Sequence, residues 1–90
     1  MTHELSLLSG LLARVDEIAR SEDAACVTRV TVRLGALVPC SAEHLREHFV
    51  DASRGTVAEG AELIVDVRPD PMDPHAHEVM LDSVEVEVDT

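Results

Sequence analysis

An imidazole a few bonds from a free amino terminus can close a chelate ring, and this chain opens Met1-Thr2-His3-Glu4. With Met1 in place, the terminal amine, the amide nitrogens of Thr2 and His3 and the His3 imidazole can form a planar set of four nitrogens. Thr2 is small, so Met1 can instead be trimmed during synthesis. The chain then opens Thr2-His3-Glu4 and offers amine, one amide and imidazole, with a fourth donor still needed. Planar nitrogen sets suit Ni(II) or Cu(II), and raw affinity favours copper over nickel. The alternative is an early histidine with no ligand role, which many chains carry.

Three other groups bear chemistry. His75 and His77 form an H-x-H pair which, on an extended backbone, can turn both rings toward one metal with Asp73 or Glu78 helping. The competing reading is a solvated polar loop, whose histidines would lose much of their binding energy to ordering. His44 and His48 stand four residues apart on a helix, which suits a shared metal, a pH-sensitive pair or two ordinary surface histidines. The glutamate of a metalloprotease H-E-x-x-H is missing there. Cys26 and Cys40 lack C-x-x-C spacing and flank a strand at opposite ends, too far apart for a disulfide. Cys26 reads as core, and Cys40 falls beside a helix start. No Ser/His/Asp set, phosphate-binding glycine loop or carboxylate pair argues for catalysis.

The elements that must position these groups follow from periodicity. From Glu4 to about Ser21, Leu5, Leu8, Leu12, Val15 and Ala19 draw one helical stripe, with Leu11 and Ile18 beside it. The head of a helix therefore coincides with the terminal chelate, and its first N–H groups have no intrahelical partner. Deprotonated amides would cancel the charge of a cation that otherwise opposes the helix dipole. Residues 26–38 alternate as a half-buried strand, with Val30, Val32 and Leu34 on one face and Arg29, Thr31 and Arg33 on the other; Pro39 ends it. Ser41 can cap a second helix running to about Ser53 that buries Leu45, Phe49 and Ala52, and Gly55 closes it.

Leu63, Val65 and Val67 point inward from a second strand that stops at Pro69. Residues 69–78 hold three prolines and cannot be regular. A third strand, about 80–88, turns Val84, Val86 and Val88 inward and presents Glu85 and Glu87 to Arg29 and Arg33. The expected fold is α+β, in the order αβαββ, with two helices on one face of a small three-stranded sheet.

Composition sets the outer limits. Ninety residues make one domain, 1–90, with no room for a second core. Lys+Arg of 7 against Asp+Glu of 18 gives a net charge of −11, which repels nucleic acid and anionic membrane and favours cations or basic partners. Phe49 is the sole aromatic, so little can stack on a base. Leu5–Leu12 lacks the basic flank of a signal peptide, and no apolar run of about 18 residues exists to span a membrane. The expected location is cytoplasmic.

The segments His-Glu-Leu-Ser-Leu (3–7), Val-Thr-Arg-Val-Thr-Val-Arg-Leu-Gly-Ala-Leu (27–37) and Gly-Thr-Val-Ala-Glu-Gly-Ala-Glu-Leu (55–63), with the closing valine-rich strand, resemble the HypA/HybF family of hydrogenase nickel-incorporation proteins. The likeness runs over residues 3–69 and 79–88. It implies a non-enzymatic accessory protein that holds Ni(II) and passes it to the large subunit of a [NiFe] hydrogenase. Such proteins work with a nickel-binding maturation GTPase and in some organisms also serve urease. It further implies a metal site made of the terminal amine, the imidazole of His3, nearby amides of Met1-Thr2-His3, and Glu4.

Two departures from the family stand out. Its members normally begin Met-His-Glu, so Thr2 is an insertion, and loss of Met1 restores the usual spacing. Its members also carry a zinc domain with two C-x-x-C pairs where this chain has only residues 69–78, so no structural zinc is expected. Two rival readings remain. One is a metal-free module that keeps the fold to dock on a maturation component, and the other is a metal buffer built on His75 and His77.

Overall fold

Alternation in one strand organises the molecule. In β1 (Cys26–Leu34) every second residue from Val30 is apolar and almost wholly removed from solvent, while Arg29 and Arg33, on the alternate positions, are exposed. The computed structural model describes residues 3–88, with side chains from Leu8 onward. Around β1 stand α1 (His3–Ser21), α2 (Ala42–Ala52), β2 (Glu62–Val67) and β3 (Val79–Glu87). The sheet order is β2-β1-β3, with β2 parallel and β3 antiparallel to the central strand. A parallel neighbour needs a crossover, and α2 supplies it.

Both helices cover the aliphatic face. Leu8, Leu11, Val15 and Ala19 of α1 meet Leu45 and Phe49 of α2 over Val30, Val32 and Leu34, in one continuous core. Leu12, placed on the helical stripe, is only partly buried, and Leu11 is the deeper of the two. α1 ends without glycine: Asp23 takes a left-handed φ of 56°, and the Ala24 N–H returns to the Ala19 carbonyl at 2.9 Å. α2 starts at the expected cap, where Ser41 Oγ accepts the His44 N–H at 3.1 Å. Ala52, expected inside, is half-buried at its last turn.

The segment Gly-Thr-Val-Ala-Glu-Gly-Ala is a self-contained turn between α2 and β2. Thr56 Oγ1 donates to the Ser53 carbonyl and accepts the Ala58 N–H, and the Glu59 carboxylate accepts the Gly55 N–H. Gly55 and Gly60 both have positive φ, at 78° and 80°. The turn buries Ala58 and offers the Val57 carbonyl to the Val27 N–H at 2.9 Å, so it also fixes the entry of β1.

Three expectations are corrected. The first strand stops at Leu34 rather than running to residue 38, because the next segment bonds to the 69–78 loop. Gly35 N–H donates to the Glu78 carbonyl at 3.0 Å and Leu37 N–H to the Ala76 carbonyl at 2.8 Å. Val67, expected inward, is 56% exposed, since burial along β2 fades from Leu63 through Val65 to the strand end. Val88, also expected inward, is 48% exposed. β3 ends at Glu87 opposite Cys26, the first residue of β1, so Val88 runs past the sheet.

The loop over residues 69–78 is irregular, as its prolines dictate, but it is stitched down. It crosses the end of β1 from one edge strand to the other. Its stems flank that end, one on each side: Arg68 N–H donates to the Leu34 carbonyl and the Glu78 carbonyl accepts from Gly35. Asp70 and Asp73 each accept a backbone N–H two residues on, from Met72 and His75. Ala76 is buried, and a Cβ added to Gly35 would fall on its carbonyl oxygen.

Candidate metal centre

α1 begins at His3, so the helix head coincides with the candidate ligand His3. Met1 and Thr2 lie outside the described residues, and for His3 and Glu4 the structure describes the helical backbone. Helical geometry from His3 onward aligns the first N–H groups along the axis, without carbonyl partners inside the helix. Beneath that head, Leu8 and Leu11 anchor the second and third turns in the core. The described side chains thus anchor the helix from its second turn onward.

The H-x-H pair lies in the loop that crosses β1. Its backbone turns there instead of extending, with Ala76 buried between two exposed histidines. His75 Nδ1 sits 2.7 Å from Glu78 Oε2. Among the described residues, no group of three or more His, Cys, Asp or Glu side chains converges to hold a metal ion. A cavity of about 40 Å³ opens beside His75, lined also by Arg33, Gly35, Arg68, Asp73, Glu78 and Met80. Room for a few waters is too little for an organic substrate.

On α2, His44 and His48 stack, with ring centroids 4.7 Å apart and an interplanar angle of 25°. Cys26 and Cys40 are both unbridged and half-buried, so Cys26 is less deep than expected of core. Partial burial, then the Glu87 carboxylate 3.7 Å away, push the Cys26 thiol pKa up. Cys40 Sγ lies 3.4 Å from the Ser41 carbonyl.

The open face of the sheet carries ion pairs. Arg29 bridges both edge strands, with Nε 2.9 Å from Glu62 and a terminal nitrogen 3.0 Å from Glu85. These contacts, the Glu62 hydrogen bond first, raise its already high pKa. Arg33 pairs with Asp82 at 3.0 Å, not with a glutamate. Arg46, exposed on α2, donates its Nε–H to the Leu63 carbonyl at 3.3 Å and ties α2 to β2. Only knowledge of which strand lay beneath the helix could have revealed that contact.

The family model described as hydrogenase/urease nickel incorporation, metallochaperone, hypA matches residues 1–86. The hydrogenase maturation factor HypA of Methylocella silvestris is 42% identical over 65 residues, covering 72% of this chain and 58% of that protein. Its counterpart in Archaeoglobus fulgidus is 40% identical over 65 residues, covering 72% and 59%. The chain thus spans less than two thirds of the length of these curated relatives. The solution structure of the nickel metallochaperone HypA from Helicobacter pylori superposes with a TM-score of 0.77 at 19% identity, covering 96% of this chain and 98% of that one, a likeness of fold. No helix among the described residues is long and apolar enough to cross a membrane. With a model matched from the first residue through nearly all of β3, this chain belongs to the HypA family.

Proposed function

We propose that this chain is a cytoplasmic, non-catalytic carrier that binds one Ni(II) at the head of α1 and releases it during maturation of a [NiFe] hydrogenase large subunit, acting with a nickel-binding GTPase. Family membership over residues 1–86 is the observation that carries this reading. His3 supplies the imidazole, and the amine of the mature chain's first residue and the backbone amides of the head supply further nitrogens. Glu4 serves as an auxiliary ligand or orients the set. The start of α1 at His3 supports the arrangement, because amides there are not committed to the helix ladder. Binding to amide nitrogens expels protons, so affinity should rise with pH.

A cargo ion must also leave. A chelate at a chain end can be surrendered one donor at a time, which a closed cage inside a core cannot do without unfolding. The charge of −11 fits docking on a basic partner, a contact that salt weakens. The loop 69–78 would stand where relatives carry their zinc domain, leaving this chain without a structural zinc.

Calorimetric titration of Ni(II) into the natively processed, untagged protein and into His3→Ala tests the proposal, with mass spectrometry to fix the first residue. A single strong site lost in the variant supports it. Equal binding by both proteins, or none by either, overturns it in favour of the His75/His77 loop or a metal-free docking role.

A further inference from the structure

The helix α2 carries two imidazoles that the terminal chelate does not use. His44 and His48 lie one turn apart, and their rings already meet, with centroids 4.7 Å apart. The turn beneath them is fixed on both sides. Leu45 and Phe49, the residues that follow each histidine, are each 1% exposed, and Ser41 caps the His44 N–H. The backbone spacing of the pair is therefore set before any ligand arrives, and binding need order only two short side chains.

We propose that His44 and His48 form a second, weaker cation site, taking one Cu(II) or Ni(II) ion through one nitrogen of each ring. Metal–nitrogen bonds of about 2.0–2.1 Å place two adjacent donors about 3 Å apart. The rings reach that separation by rotating out of their stack about the Cβ–Cγ bond, a torsion with a broad, shallow well. Each imidazole gives the metal one nitrogen, and a hydrogen bond on the other orients the ring and raises its basicity. Water completes the coordination, since the described residues bring no third ligand to the pair. Two protein donors make the site weaker than a terminal chelate, and imidazole ligands rank copper above nickel. Exposed Glu43 and Glu47 beside the pair, on a chain of charge −11, enrich cations at this surface.

The contrast with His75 and His77 is geometric. That pair sits in a turn with His75 held to Glu78, whereas a helix presents positions i and i+4 on the same face.

The experiment uses His3→Ala as its parent, so that loss of the terminal chelate and loss of this site are read separately. Calorimetric titration of that protein with Cu(II), then Ni(II), should show one residual site per chain. Adding His44→Ala or His48→Ala should weaken it at least tenfold, while His75→Ala leaves it unchanged. In the unaltered protein, small amounts of Cu(II) beyond one equivalent should broaden the His44 and His48 ring proton resonances before those of His75 and His77. Absence of residual binding, indifference to both α2 substitutions, or broadening that starts in the loop would overturn the assignment. Circular dichroism of each variant separates these results from loss of the helix.

Discussion

The two faces of the sheet are made by alternate residues of the same strand, yet they hold by different physics. On the covered face, Val30, Val32 and Leu34 are at most 3% exposed beneath Leu8, Val15, Leu45 and Phe49. On the open face, Arg29 and Arg33 reach across to Glu62, Glu85 and Asp82, with every partner 40% or more exposed. Buried apolar area is worth about 25 cal/mol per Å² and is not lost to charge screening, whereas exposed ion pairs gain little and are screened. The covered face therefore gives this small domain its stability, and it is also where both histidine-bearing helices are seated. The open face sets charge and register.

The sharpest way to break that contrast is Phe49→Ala. It removes the sole aromatic from the centre of the covered face and should cost about 3–5 kcal/mol, close to the whole stability of a 90-residue domain. Urea denaturation reads it directly, and a loss under about 1 kcal/mol would show the core is less decisive than argued.

Gly35→Ala comes next. The added methyl meets the Ala76 carbonyl, so either the loop lifts or the end of β1 bends, at about 1–3 kcal/mol. Faster amide exchange at Gly35 and Leu37, whose N–H groups the loop accepts, would locate the damage. Ser41→Ala removes the cap of α2 for about 1 kcal/mol and should speed exchange of the His44 amide.

Effects on the open side should be smaller. The Cys26 thiol holds its proton more tightly in the folded state, so its contribution is fully present below the unfolded pKa and is lost as pH rises through the higher folded value. Stability should therefore slope downward above about pH 9 in the parent, and less so in Cys26→Ser. Arg29→Ala should change the denaturation midpoint least, and added salt should abolish what change there is. A loss from Arg29→Ala as large as that from Phe49→Ala would erase the distinction between the faces.

Element types and order were legible in the sequence because the signals are local. The stripe ending at Val15 and Ala19, the cap at Ser41 and the alternation of Val30, Val32 and Leu34 all act within a few residues. What escaped depended on pairing between distant segments. Residues 35–38 continue the strand-like pattern, but the carbonyls of Ala76 and Glu78 claim the Leu37 and Gly35 N–H groups. Val88 alternates correctly and fails only because β1 has already ended.

The candidate site divides in the same way. His3 at a helix head, and four-residue spacing on α2, can be read from the chain alone. The turn that engages His75 with Glu78 depends on where a loop crosses a strand, which periodicity does not encode.

The two stems of that loop, pinned on either flank of β1, have a consequence for how the domain can vary. Arg68 and Glu78 bond to the two sides of one peptide, the Leu34 carbonyl and the Gly35 N–H, so the chain leaves and re-enters the sheet on either flank of β1, about 10 Å apart. Whatever lies between those posts has only to span the end of β1, and lengthening it adds only about 0.6 kcal/mol of closure entropy for each doubling. The fold thus has a built-in splice port: a ten-residue crossing or a whole extra module can occupy it, while the sheet on either side keeps its register.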